Sequence, residues 1–204
     1  MIKNIIFDLG GVIYDIRYEN IPEAFARMGA GNLVALYSKA KQTDFIDQYE
    51  EGLISSDEFC EKIRQISSVP LTNEQIRDAW NAILIDVPAP RVDFLLELKK
   101  KYKLYLFSNT NQFNYECFTA HLKQKYGFDF FETIFQAAYF SHILHLRKPK
   151  EEGFRRIIQE QQLNPAETLF IDDSPQHIEG ARRCGLQAYH LQDGETIETL
   201  KLIQ

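Results

Sequence analysis

The chain has 204 residues, with 23 Lys and Arg against 29 Asp and Glu, and so a formal net charge of −6. That length suits one domain, or one domain carrying an insertion, and a content of 45% hydrophobic and 25% charged residues excludes a disordered chain. The acidic balance argues against wrapping nucleic acid or lying on an anionic membrane, since both need a cationic surface, and it makes the protein an unobvious host for an anionic substrate. Cys60, Cys117 and Cys184 are odd in number and scattered, which fits a reduced cytoplasm better than a disulfide framework or a zinc site. Residues 2–7 are apolar for too short a stretch to be a targeting signal, and no run approaches the roughly twenty apolar residues that span a bilayer. The expectation is a soluble, cytoplasmic protein.

The first predicted element is a buried strand over 4–9, rich in Ile and Phe and ended by Gly10-Gly11, where the chain can turn sharply or let a ligand approach. From Asp15 to about Val87 the signals are helical only. Phe45, Ile46 and Tyr49 form an apolar stripe on a helix that stops at Gly52. Ser55-Ser56-Asp57-Glu58 and Thr72-Asn73-Glu74-Gln75 each offer a capping box followed by apolar residues at helical spacing. Such helices joined by short loops make a small bundle. Pro88 and Pro90 then break the chain.

Thereafter helices and strands alternate: helix 91–102 before strand 104–107, helix 113–125 before strand 133–137, helix 152–161 before strand 168–171, and helix 177–184 before strand 187–191. This alternation predicts an α/β fold, a Rossmann-like, mostly parallel sheet with helices on both faces. The implied plan is a core of residues 1–14 and 88–204 with a helical cap of residues 15–87 inserted after the first strand.

In open parallel sheets, ligands bind beyond the carboxyl ends of the strands. Polar residues follow each predicted strand there: Asp8-Leu9-Gly10-Gly11-Val12, then Ser108-Asn109-Thr110-Asn111, then Arg147-Lys148-Pro149, then Asp172-Asp173-Ser174. A single strand-end Asp is ordinarily a turn or helix-cap residue. Four such endings in order place three carboxylates, a hydroxyl, an amide and a cation on one rim.

On these four motifs the sequence resembles the haloacid dehalogenase superfamily of aspartate-nucleophile hydrolases over its whole length. It is most similar to the branch of small bacterial sugar-phosphate phosphatases that includes glucose-1-phosphatase-like enzymes. The resemblance implies a Mg²⁺-dependent phosphatase of small phosphorylated metabolites that forms an aspartyl-phosphate on Asp8. It assigns Lys148 to charge balance, and Ser108 and the backbone N–H of Asn109 to the phosphoryl oxygens, helped by the start of the following helix. Asp8, the carbonyl of Gly10 and Asp173 are its expected metal ligands, with Asp172 acting through water or as an alternative direct ligand.

Relatives commonly carry a second Asp at the position of Gly10, which protonates the leaving group. Its absence predicts a slow enzyme, or one that uses leaving groups needing little protonation. Asp15 is expected to cap or hinge the inserted helices. Relatives also often have Gly where His145 stands and Asn where His177 stands. His142 and His145 read as loop residues and not as metal ligands, and His177 as the opening of a helix. The cap turn around Gln48-Tyr49-Glu50-Glu51-Gly52 corresponds to a loop that leans over the site in capped relatives. Tyr49 and Arg17 are therefore candidates for specificity, with Tyr18 beside the hinge, whereas Trp80 reads as cap packing. Two other readings remain: a catalytically weak or degenerate phosphate-binding protein, and a 2-haloacid dehalogenase, whose chemistry needs no metal and leaves the Asp172-Asp173 pair unexplained.

Overall fold

All four residues of strand β1 (Asn4–Phe7) are buried, as a strand covered on both faces requires. The computed structural model describes residues 1–36 and 44–200. After β1 the chain curls tightly, with the amides of Ile13 and Tyr14 both donating to the carbonyl of Leu9 at 2.8 and 2.7 Å. It leaves the sheet through β2 (Asp15–Ile16) and builds α1 (Asn20–Arg27), a 3-10 turn (Gly31–Leu36), α2 (Asp44–Glu50), α3 (Ser56–Ile66) and α4 (Asn73–Asn81). It returns through β3 (Leu84–Asp86), antiparallel to β2.

Both capping boxes form, Ser55 with Glu58 and Thr72 with Gln75, and each starts its helix where expected. The four helices share a core of their own, around Ile21, Phe25, Ile46, Phe59, Ile76 and Trp80. The β2–β3 pair corrects the purely helical reading of this stretch. Strands of two and three residues are too short to show a period-2 pattern.

The remainder alternates. Helix α5 (Ala89–Leu98) precedes β4 (Lys103–Ser108). Helices α6 (Gln112–Tyr126) and α7 (Phe130–Ile134) precede β5 (Ala137–Phe140). Helices α8 (Ser141–Leu144) and α9 (Glu151–Glu160) precede β6 (Thr168–Asp172), and α10 (Pro175–Arg183) precedes β7 (Gln187–His190). The strands form one parallel sheet in the order β5-β4-β1-β6-β7, with apolar cores on its two faces.

Two boundaries differ from expectation for local reasons. Residues 133–134 lie in α7 and not in a strand, because Asp129 caps the amide of Glu132 and Phe130, Phe131 and Ile134 then turn inward together. Pro88 and Pro90 do not interrupt α5 but open it, Pro88 at the N-cap and Pro90 in the first turn, where a missing N–H costs nothing. Among the described residues no helix is long and apolar enough to cross a membrane.

Candidate active site

Because β1 lies between β4 and β6, the carboxyl ends of three adjacent strands meet at one point. The pairing continues one residue past β1, where the amide of Asp8 donates to the carbonyl of Ile171 at 2.9 Å. Ser108 ends β4 and Asp172 ends β6. Lys148 reaches the same point from the loop before α9. Its Nζ lies 2.7 Å from Asp8 Oδ1 and 2.7 Å from Asp172 Oδ2, it is 0% exposed, and the rings of Phe107 and Phe170 flank it at 5.6 and 5.5 Å. Asn109 holds the backbone of that lysine at both ends, its Nδ2 donating to the Lys148 carbonyl and its Oδ1 accepting from the Lys148 amide, each at 2.9 Å.

These charges perturb one another strongly. Burial pushes the Asp8 carboxyl well above the usual range; Lys148 opposes that, while Asp172 and Asp173 add to it. Burial acts on Asp172 in the same direction but is outweighed by Lys148 and His177, which hold it below its ordinary value. Burial lowers Lys148, and its two carboxylates more than restore the charge, so the ammonium sits above its ordinary value. The cluster is therefore one cation shared between two buried carboxylates, a group that welcomes further positive charge beside Asp8.

The two acidic residues after β6 have different surroundings. Asp172 is fully buried, and its oxygens meet Lys148, the Ser174 amide at 2.8 Å and His177 Nδ1 at 2.9 and 3.0 Å. Asp173 lines the open cavity, and a Cβ built at Gly11 would lie 2.5 Å from its Oδ2. Gly11 (φ +78°) is thus required both by its left-handed backbone and by the approach of this carboxylate. Donor atoms of Asp8, Asp172 and His177 come within 4.8 Å of one another. His177 does sit in the first turn of α10, as expected, yet it also orients Asp172, a contact invisible in the linear sequence.

The cavity has a volume of about 260 Å³. Asp8, Gly10, Ser108, Asn109, Lys148 and Asp173 line it from the sheet side. The hydroxyl of Ser108 makes a long 3.4 Å contact with the carbonyl of Asn109. From the cap and hinge come Ile16, Tyr18, Asp47, Glu50, Ile83 and Leu84.

Three expectations require correction here. Tyr49 does not face the cavity: it is 1% exposed and stacks on Phe59 with centroids 4.2 Å apart. Its hydroxyl lies 2.9 Å from Ser56 Oγ and accepts the amide of Phe113 at 3.2 Å. Asp47 and Glu50, three apart on α2, form the helix face that does line the cavity, whereas Ile46 and Tyr49 share the buried one. Arg17 points to solvent and pairs with Glu19 and Glu23, and its neighbours Ile16 and Tyr18 line the cavity in its place. Two first-turn amides of α6 are already engaged, Phe113 by Tyr49 and Asn114 by Asn111 Oδ1 at 3.1 Å, so that turn has less to offer an anion than its position implies.

Asp15 pairs with Arg91 Nη1 at 2.6 Å, outside the cavity lining, which suits a hinge residue. The histidines His142 and His145 part company: His142 is buried on α8, and His145 Nδ1 contacts the Glu51 carbonyl at 2.8 Å. Arg147 lines the cavity and makes contacts that the sequence did not reveal. It pairs with Asp47 at 2.5 Å and Glu50 at 2.7 Å, joining cap to core beside Lys148.

The chain is similar to known proteins in sequence and fold. A family profile described as haloacid dehalogenase-like hydrolase matches residues 2–185. The chain is 33% identical over 197 residues to D-ribitol-5-phosphate phosphatase of Bacteroides thetaiotaomicron, covering 95% of this chain and 94% of that protein. A crystal structure of a related family enzyme from the same bacterium, a variant in complex with magnesium and inorganic phosphate, superposes with a TM-score of 0.90. It is 32% identical, and 96% of each chain is covered. L-2-haloacid dehalogenase of Xanthobacter autotrophicus shares the fold at a TM-score of 0.58 and 18% identity, over 94% of this chain and 78% of that one.

Proposed function

The chain belongs to the haloacid dehalogenase-like hydrolase family, and from that premise we propose that it is a Mg²⁺-dependent phosphatase of small sugar or sugar-alcohol phosphates. The observation that carries this reading is the buried Asp8–Lys148–Asp172 cluster opening onto a cavity that Asp173 also lines. The phosphatase and the magnesium-and-phosphate complex among its relatives support it. The donor set fits the metal: two carboxylates and a backbone carbonyl are the oxygen ligands a hard cation prefers. Asp8, the Gly10 carbonyl and Asp173 would hold it, and Asp172, saturated by Lys148, His177 and Ser174, would orient the others. Bound there, Mg²⁺ supplies the positive charge that lets an anionic nucleophile approach an anionic phosphoryl group.

The residues of the chain then divide the work. The Asp8 carboxylate attacks phosphorus as the bond to the ester oxygen breaks, and the leaving oxygen takes a proton from water and departs as the alcohol. A second water then cleaves the aspartyl-phosphate to give inorganic phosphate and the free Asp8 carboxylate. Lys148 balances charge on Asp8 and on the transferring group. The Ser108 hydroxyl and the Asn109 amide bind its oxygens. Asn111, Asn114, Tyr18, Asp47 and Glu50 give the cavity wall many hydrogen-bonding groups, which suit a polyhydroxylated leaving group. The cap division at residues 15 and 87 follows from the same reading, since β2 and β3 carry the chain out and back.

Phosphate release from ribitol 5-phosphate, sugar 1-phosphates, sugar 6-phosphates and mononucleotides tests the proposal. The five-carbon and sugar esters are expected to lead in kcat/KM, and EDTA to abolish turnover. Asp8→Asn is expected to cost at least ~10³-fold, because no other group can carry the phosphoryl intermediate. Turnover that survives Asp8→Asn or full metal removal would overturn the mechanism.

A further inference from the structure

Ser141 opens α8 and is 0% exposed. Its Oγ accepts the amide of Thr110 at 2.9 Å, two residues beyond Ser108 in the loop that leads to α6. The same oxygen lies 2.6 Å from the carbonyl of Glu50, at the cap turn, and 3.0 Å from the carbonyl of Thr110. A serine hydroxyl has one proton and two lone pairs. With one lone pair committed to the Thr110 amide, the single proton has two acceptors to choose between, one on the cap and one in the loop itself. The shorter contact is to the cap.

Glu50 is also the residue whose carboxylate grips Arg147, next to Lys148. One cap residue is thus tied through its carbonyl to the loop after β4, and through its carboxylate to the loop that carries the lysine. The turn beyond it is closely seated. Gly52 (φ +66°) lies so near the carbonyl of His142 that no Cβ fits between them. His145 holds a left-handed φ of +58° while its ring meets the Glu51 carbonyl. That φ is the left-handed end of α8, where the His145 amide returns to the Ser141 carbonyl at 2.8 Å.

We propose that Ser141 is a positioning residue that couples seating of the cap turn to the geometry of the phosphate-binding loop 108–110. The proposal rests on the phosphatase reading of the cavity. With the turn seated, the Ser141 proton points to Glu50 and Oγ is aimed at the Thr110 amide, which fixes the loop. With the turn lifted, Oγ loses the Glu50 carbonyl that holds its rotation. Turning its proton to the Thr110 carbonyl then takes its lone pair off the line of the Thr110 amide, so the loop relaxes. Coupling of this kind is reciprocal: if a seated turn favours phosphoryl binding, a bound phosphoryl group must seat the turn.

Hydrogen–deuterium exchange of residues 47–53, with and without Mg²⁺ and inorganic phosphate, reads this directly. In the wild-type chain, phosphate is expected to slow exchange by about 5-fold or more, the lower end of ordinary site-to-site coupling. Ser141→Ala is expected to lose that slowing and to lower kcat on a sugar phosphate by about 10-fold with a much smaller change in KM, because the loop is ordered less in the transition state. Ser141→Thr keeps the hydroxyl and is expected to retain both properties. If the alanine variant does not fold, Ser141→Cys, a weaker donor of similar size, is expected to show the same loss. An alanine or cysteine variant that keeps the phosphate-dependent slowing overturns the proposal. So does a wild-type chain that hydrolyses phosphate esters but shows no slowing, and in that case the functional reading stands; a chain that does neither loses both.

Discussion

Lys148 illustrates how a charged residue can be fully buried at acceptable cost. Two carboxylates at 2.7 Å and two aromatic faces replace its water, and Asn109 fixes its backbone. Removing either carboxylate would leave the ammonium under-compensated, so the cluster has to be read as one unit. Gly10 is the opposite case, a residue informative for what it lacks. A Cβ there would lie 3.1 Å from Ile16 Cδ1, the flexible end of a side chain, so an aspartate is admissible with a small shift. Gly10→Asp is expected to raise kcat on alkyl phosphates by about 10-fold or more, since general acid catalysis is worth 10²–10⁴ at full effect. Adding Ile16→Val should increase the gain by relieving the contact. Unchanged turnover on alkyl phosphates would show that protonation of the leaving group does not limit this enzyme.

At the scale of elements, α8 is the piece on which the cap turn rests. Its His142 is buried among the rings of Tyr115 and Phe140, and among the described residues neither ring nitrogen has a hydrogen-bond partner. Burial, reinforced by His145 and opposed by Glu116, depresses its pKa to about 4 from an ordinary 6.5. The unfolded chain therefore binds more protons than the folded one between those two values, and stability falls as pH is lowered through that window. From pH 7 to pH 4.5 the loss from this one residue is expected to be about 2–3 kcal/mol. Denaturant unfolding at several pH values measures it, and His142→Phe should flatten the dependence by that amount. Equal slopes for the two proteins would remove His142 as the cause.

Helix α2 shows why an element can be recognised while its orientation is not. The apolar stripe of Phe45, Ile46 and Tyr49 marks α2 as a helix, and the structure extends that helix through Glu50, but which face turns to the cavity depends on where α3 and α6 stand. Tyr49 was drawn into the aromatic stack of Phe59 and Phe113, and Asp47 and Glu50 were left facing Arg147. The i, i+3 spacing of those acids was the available signal. Capping boxes are different, because Ser55 with Glu58 and Thr72 with Gln75 complete their bonds within one turn and need no partner from elsewhere.

Across the whole molecule, the cap is joined to the sheet by the short β2–β3 hinge and braced by Arg91. That guanidinium, 6% exposed, reaches the Ile13 carbonyl at 2.9 Å, Asp15 at 2.6 Å and Glu198 at 3.1 Å. It thereby fastens the exit from β1 to the carboxyl-terminal segment. Arg91→Met keeps much of the bulk and removes the charge. It is expected to cost about 1–3 kcal/mol, less than a fully buried pair because Asp15 and Glu198 keep access to water. Thermal unfolding should show a Tm lower by several degrees, and an unchanged Tm would mean that the brace contributes nothing net.

The net charge of −6 at first counted against an anionic substrate. Asp8, Asp172 and Asp173 belong to that excess, and in the proposed reaction they are what gathers cations for the phosphate, so whole-chain charge says little about a pocket. The sequence by itself determined the α/β alternation, the capped helices and the polar residues at strand ends, because each depends on contacts within a few residues or on a period along one element. Only the tertiary structure decided the rest: that Lys148 is shared between Asp8 and Asp172, that His177 orients Asp172, that Tyr49 turns inward while Asp47 and Glu50 line the cavity, and that Ser141 bridges loop and cap. Those facts depend on how separate elements pack against one another, and packing brings together residues whose distance along the chain carries no trace of their contact.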